Sequence, residues 1–122
     1  MAKTILVVDD FPNTRKVITF SLNKIEDICI LEADNGREAM KFFDGRKIDL
    51  LVTDLNMPVM DGIQLASEVR SMKNYLGIPI LMLTTEINEK KKDMAQKAAI
   101  TAWIQKPFKA EQFFDIVKKC LR

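Results

Sequence analysis

Thr4-Ile5-Leu6-Val7-Val8-Asp9-Asp10-Phe11-Pro12 decides the fold. Its first residues, Thr4 to Val8, are β-branched or aliphatic and do not alternate with polar ones, which fits a strand covered on both faces of a parallel sheet. Two aspartates close the run. Pro12 then suits the first turn of a helix, where its missing N–H is one of the groups that would go unpaired anyway. Strand, acidic turn and helix start follow one another without a gap.

The apolar strand pattern recurs along the chain. Apolar runs at Ile28 to Leu31, Leu50 to Val52, Ile78 to Leu83 and Thr101 to Ile104 read as four further buried strands. Between the strands, apolar side chains recur at three- and four-residue steps: Ile18, Leu22 and Ile25, then Leu65, Val69 and Met72, then Phe113, Ile116, Val117 and Cys120. That spacing lays a stripe along one face of a helix. Asn88, with Lys91 three residues on, fits a polar helix start. Five strands alternating with five longer amphipathic segments predict an α/β protein with an open parallel sheet and right-handed crossovers. The 122 residues make one domain, 1–122, with no repeat, low-complexity tract or linker. The fifth helix lies at the end of the chain, so no appended domain is expected.

Composition removes several classes of function. At 48% hydrophobic, 30% charged and net charge +2, the chain is ordinary for a soluble protein and too mildly basic for nucleic acid or a membrane surface. Lys90-Lys91-Lys92 is the one basic run and reads as a solvated helix face. No signal peptide is visible, and no run approaches the ~18 apolar residues that span a bilayer. Cys29 and Cys120 lack metal-ligand spacing and read as reduced thiols in the core of a cytoplasmic protein. The sequence holds no histidine, which removes Ser-His-Asp and Cys-His catalysis and the usual zinc sites. Chemistry here has to run on carboxylates, hydroxyls and lysines.

In an open α/β sheet, ligands bind beyond the carboxyl ends of the strands. Four of those ends are polar: Asp9-Asp10, Asp54, Thr84-Thr85 and Lys106-Pro107. Each alone has an ordinary explanation as a turn or a cap. Together they make a site, provided that the strands are neighbours. Three carboxylates held close repel one another unless a cation sits among them. Oxygen ligands select a hard ion, and Mg²⁺ commonly takes one or two carboxylates, waters and a phosphate. Lys106 then adds a second positive charge toward the oxygens of a phosphoryl group.

Val7-Val8-Asp9-Asp10, Asp54-Leu55-Asn56-Met57-Pro58-Val59-Met60-Asp61-Gly62, Thr84 and Lys106-Pro107-Phe108 resemble the signature of response-regulator receiver domains, nearest to the stand-alone CheY-like chemotaxis type. The likeness covers the whole chain. It implies a flavodoxin-like sheet of order 2-1-3-4-5 with five helices. It makes Asp54 the acceptor of a phosphoryl group from a histidine kinase, with Mg²⁺ held by Asp10, Asp54 and the Asn56 carbonyl, and by Asp9 through water. Lys106 would pair with the phosphate and Thr84 would move to hydrogen-bond it, across a cis Lys106-Pro107 peptide. Trp103 stands where the family carries a switching Tyr or Phe. Asn56, Thr85 and Glu86 would tune the lifetime of the phosphoryl group.

Four positions depart from the pattern. Thr85 replaces a small residue and is expected to narrow access to the phosphate. Ala102 replaces a frequent glycine. Ala99-Ile100 replaces Gly-Ala, so an unusual geometry is expected for the loop between the fourth helix and the fifth strand. The implied output is protein–protein contact by a monomer through helix 4, strand 5 and helix 5, including Lys91, Trp103, Lys118 and Lys119. A flagellar motor switch is the first partner expected, a phosphorelay the second, and a fragment of a larger regulator the third reading. A flavodoxin would need a Ser/Thr/Gly-rich loop where Asp9-Asp10 stand. A Mg²⁺-dependent aspartyl phosphatase of the haloacid-dehalogenase type would need Asp-x-Asp after strand 1. A plain interaction domain would not need Lys106 and Thr84. The expectation is a signalling domain that catalyses only its own phosphorylation and dephosphorylation.

Overall fold

In a computed structural model, which describes residues 2–85 and 88–121, the alternation of sequence patterns becomes an alternation of elements. Strands β1 (Lys3–Val8), β2 (Ile28–Ala33), β3 (Leu50–Asp54), β4 (Ile80–Thr84) and β5 (Ala102–Gln105) are interleaved with helices α1 (Pro12–Leu22), α2 (Gly36–Met40), α3 (Gly62–Arg70), α4 (Glu89–Lys97) and α5 (Ala110–Cys120). The sheet is parallel throughout and runs β2-β1-β3-β4-β5. The implied order and the doubly covered strands are both present.

Successive strand residues point to opposite faces, and here both faces are buried. Ile5, Val7, Leu50, Val52, Leu81, Leu83 and Ile104 pack with Ile18 and Leu22 of α1 and Phe113 and Val117 of α5. Leu6, Val8, Leu51, Ile80 and Met82 pack with Ala39 of α2 and Ile63, Leu65, Ala66 and Val69 of α3. Every residue of β3 and β4 is buried, whereas β2 at the sheet edge is mostly half-exposed. Pro12 opens α1, and the Asn88 side chain accepts the Lys91 N–H at 2.9 Å to start α4.

Some expectations are corrected. The second amphipathic segment is not long: α2 has five residues, and the chain leaves it so that Phe43 can meet Tyr75 edge-on at 4.9 Å. The thiols are not core residues. Cys29 is exposed on the edge strand, and Cys120 is half-buried at the end of α5, where burial pushes its pKa up. The α4–β5 loop keeps a left-handed helix stop although glycine is missing. Ala99 takes φ 55°, its N–H reaches the Gln96 carbonyl at 3.0 Å, and Ile100 N–H reaches that of Ala95 at 3.1 Å. These paired bonds close the helix end, and an alanine held there carries a strain of roughly 1 kcal/mol. Arg70 ties the same loop to the connection between α3 and β4. Its guanidinium donates to the carbonyls of Leu76, Ile78 and Ala99 at 2.8, 2.7 and 2.9 Å. Among the described residues no helix is long and apolar enough to cross a membrane.

Candidate functional site

The four polar strand ends meet at one edge of the sheet because β1, β3, β4 and β5 are neighbours in that order. Asp9 follows β1 and is fully buried. Its Oδ1 accepts the Phe11 N–H at 2.9 Å and its Oδ2 lies 3.1 Å from Lys106 Nζ. Asp54 ends β3, 6% exposed, with Oδ2 3.4 Å from the same ammonium. Lys106 therefore bridges two carboxylates from two strands. Asp10 is half-buried, and its Oδ1 is shielded from solvent without a hydrogen-bond partner. Carboxylate oxygens of Asp9, Asp10 and Asp54 lie within 4.8 Å of one another. Burial raises the Asp54 pKa above its ordinary value; the Lys106 charge pulls it back and the Asp9 charge pushes it further up.

The loop after Asp54 is shaped by close packing. Gly62 N–H reaches the Leu55 carbonyl at 2.8 Å, and a Cβ on Gly62 would stand 2.2 Å from the Asp54 carbonyl oxygen. Only glycine lets α3 begin that near the end of β3. Between them Val59 takes φ 71°, with Met60 N–H on the Pro58 carbonyl at 2.8 Å. This is a γ-turn of the strained hand, which a β-branched residue rarely adopts. Asn56, on this loop, is exposed.

Thr84 ends β4 fully buried, and its carbonyl accepts the Lys106 N–H at 2.7 Å. The Lys106–Pro107 peptide is cis, as the resemblance implied. Thr85 is exposed and lines, with Asn13, Thr14, Val17, Lys106, Pro107 and Phe108, a hollow of about 470 Å³ beside the cluster. Glu86, named for phosphoryl lifetime, lies outside the described residues. Trp103 sits in β5 opposite Met82, half-buried, its indole N–H without a partner, in a groove of about 450 Å³ shared with Lys92, Ala95 and Gln96 of α4. Lys91 is half-buried on α4, while Lys118 and Lys119 are exposed on α5. Lys118 stands 5.3 Å over the Phe114 ring, and Phe114 lines the α1–α5 groove.

Two arginines escaped the sequence reading. Arg15 donates to the Asp9 carbonyl and Arg70 to the carbonyls of Tyr75, Leu76, Ile78 and Ala99. A backbone acceptor has no side-chain signature, so nothing in the sequence marks these contacts.

A five-stranded parallel sheet with an acidic cluster and a lysine at its carboxyl edge defines a receiver-type signalling domain. Residues 5–118 match the family model "Response regulator receiver domain", and the chain belongs to that family. It is 38% identical over 105 residues to a chemotaxis protein CheY homologue of Campylobacter jejuni, covering 85% of this chain and 81% of that protein. It is 31% identical over 120 residues to the sensor histidine kinase CheAY of Helicobacter pylori, covering 97% of this chain and 15% of the kinase. The crystal structure of Vibrio cholerae chemotaxis protein CheY4 superposes with a TM-score of 0.91 at 32% identity, covering 99% of this chain and all of the other.

Proposed function

We propose that residues 1–122 form one phosphoryl-accepting receiver domain, with Asp54 as acceptor, in a cytoplasmic two-component pathway. One observation carries this reading: Lys106 bridges Asp9 and Asp54 at 3.1 and 3.4 Å while a buried Asp10 oxygen beside them has no partner. An Asp54 oxygen attacks the phosphorus of a kinase phosphohistidine, the P–N bond breaks, and the phosphoryl group stays on Asp54 as an acyl phosphate until water hydrolyses it. Lys106 neutralises charge on the transferred oxygens, and Thr84 supplies a hydroxyl at the adjoining strand end.

The cluster fits a divalent ion by its donor chemistry and by the unpartnered Asp10 oxygen. Asp10, Asp54 and the Asn56 carbonyl would hold Mg²⁺. Both Asp9 oxygens are already engaged, which suits an indirect role through water. When bound, the ion neutralises negative charge on the carboxylates and the phosphoryl oxygens. Asn56, Thr85 and Glu86 are proposed to set how long the phosphoryl group lasts, with decay in seconds or minutes.

The CheY relatives favour chemotaxis or motility control, with a flagellar motor switch as the output partner, and the kinase relative supports a histidine kinase as donor. The α4–β5–α5 face, with Lys91, Trp103, Lys118 and Lys119, is the proposed contact surface. Incubation with radiolabelled acetyl phosphate and Mg²⁺ tests the core of this reading. Wild type is expected to retain label and Asp54→Asn to retain none. Equal labelling of the variant would overturn the assignment.

A further inference from the structure

Arg15, in the first turns of α1, reaches back to the acidic turn. Its Nη1 donates to the Asp9 carbonyl at 2.7 Å, and its Nε meets Glu32 Oε1 at 3.0 Å. The arginine side chain is 20% exposed and that of Glu32 49%. Glu32 belongs to β2, next to Ala33, whose carbonyl accepts the Asp9 N–H at 3.2 Å. Asp9 is thus gripped on both sides: β2 holds its N–H, and Arg15 holds its carbonyl.

That carbonyl belongs to the peptide joining Asp9 to Asp10. A guanidinium carries its donors in one rigid plane, so a bond to Glu32 fixes the direction of the bond to Asp9. Asp10 hangs from the gripped peptide. Its Oδ1 is buried without a hydrogen bond of its own, so the backbone below it has to aim that carboxylate.

We infer, resting on the metal-assisted reading above, that Arg15, braced by Glu32, is a positioning residue that orients the Asp10 carboxylate for a divalent cation. A purely electrostatic role for the same side chain has the opposite sign. As a bare positive charge near three carboxylates, Arg15 would repel a cation and its removal would tighten binding. As a positioning group, its removal weakens binding.

Isothermal titration of Mg²⁺ into the full unphosphorylated chain separates the two. Arg15→Met is expected to weaken Mg²⁺ binding about 10-fold, the scale on which groups that orient metal ligands act. Arg15→Lys is expected to recover part of the loss, because an ammonium still donates to a carbonyl. The labelling rate from acetyl phosphate should return toward wild type once Mg²⁺ saturates Arg15→Met, which a misfolded site would not allow. Equal or tighter Mg²⁺ binding by Arg15→Met overturns the positioning role. Should that variant fail to fold by circular dichroism, Glu32→Ala replaces it, with about threefold weakening expected for an exposed brace; no weakening there overturns the role equally. Asp10→Ala is the control. If wild type takes up no Mg²⁺, or Asp10→Ala binds it as well as wild type, the metal reading itself fails and takes this inference with it. Sound wild-type binding with undisturbed Arg15→Met fails the inference alone.

Discussion

Helices α3 and α4 are both nine residues long, and each is started by a side chain that accepts a backbone N–H three residues on, Asp61 from Gln64 and Asn88 from Lys91. Their grip on the sheet differs. α3 buries Gly62, Ile63, Leu65, Ala66 and Val69, whereas α4 buries Ala95 alone. A buried Ile, Leu or Val contributes roughly 1.5–3 kcal/mol, and one methyl less than ~1 kcal/mol. α3 is therefore fixed scaffold, clamped to the end of β3 beside Asp54. α4 rests on its caps and on the loop that Arg70 holds, and it flanks the groove of Trp103. A molecule divided this way holds the Asp54 side of the sheet rigid and leaves inexpensive motion to the α4 side.

The largest effect that can break this contrast is a core deletion in α3. Leu65→Ala is expected to cost about 2–5 kcal/mol in urea unfolding, and Met94→Ala in α4 under ~1 kcal/mol. Similar costs would mean that α4 is anchored as firmly as α3.

Charge in the anchored half comes next. Burial makes Asp54 take up a proton more readily folded than unfolded, so its ionised form costs stability in metal-free solution. That cost is present above the raised folded value and is relieved as pH falls through it toward the ordinary 3.8. Asp54→Asn is expected to be more stable than wild type at neutral pH without metal, by about 1 kcal/mol, with the gap closing on acidification. A variant that is less stable at neutral pH would show that the Lys106 contacts outweigh the burial.

On the lightly held side, Ala99→Gly removes a left-handed alanine and is expected to raise stability by about 0.5–1 kcal/mol. A loss in urea midpoint would mean that Ala99 is not strained there. The smallest expected signal is optical. Beryllofluoride with Mg²⁺ should shift Trp103 emission and reduce its quenching by acrylamide, since the single tryptophan lines the groove against α4. If the ligand is shown to bind and neither reading changes, Trp103 is a packing residue and the α4 side does not respond to Asp54.

The anchored half was also the more legible one. Strands buried on both faces announce themselves as unbroken apolar runs, so β1 and β3 and the aspartates that follow or end them stood out in the sequence. Strand edges were less clear: β2 runs on through Glu32 and Ala33 because an edge strand needs only one apolar face. The sheet order came from the family likeness, because local patterns do not record which strands become neighbours. The left-handed Ala99 ran against its residue type, since hydrogen bonds from Ile100 and Arg70 outweigh a modest local preference. Arg15 stayed hidden because what it recognises is a peptide carbonyl, present at every position.

Gly62 bears on how variant libraries of this chain should be scored. A Cβ there would meet the Asp54 carbonyl oxygen at 2.2 Å, so every replacement displaces the backbone that carries Asp54. In a saturation screen read out by signalling, position 62 will look as intolerant as position 54, although its residue offers no functional group. Abundance and labelling have to be counted separately for the two. Asp54→Asn is expected to leave a well-populated protein that accepts no label, and Gly62→Ala to lower the population itself.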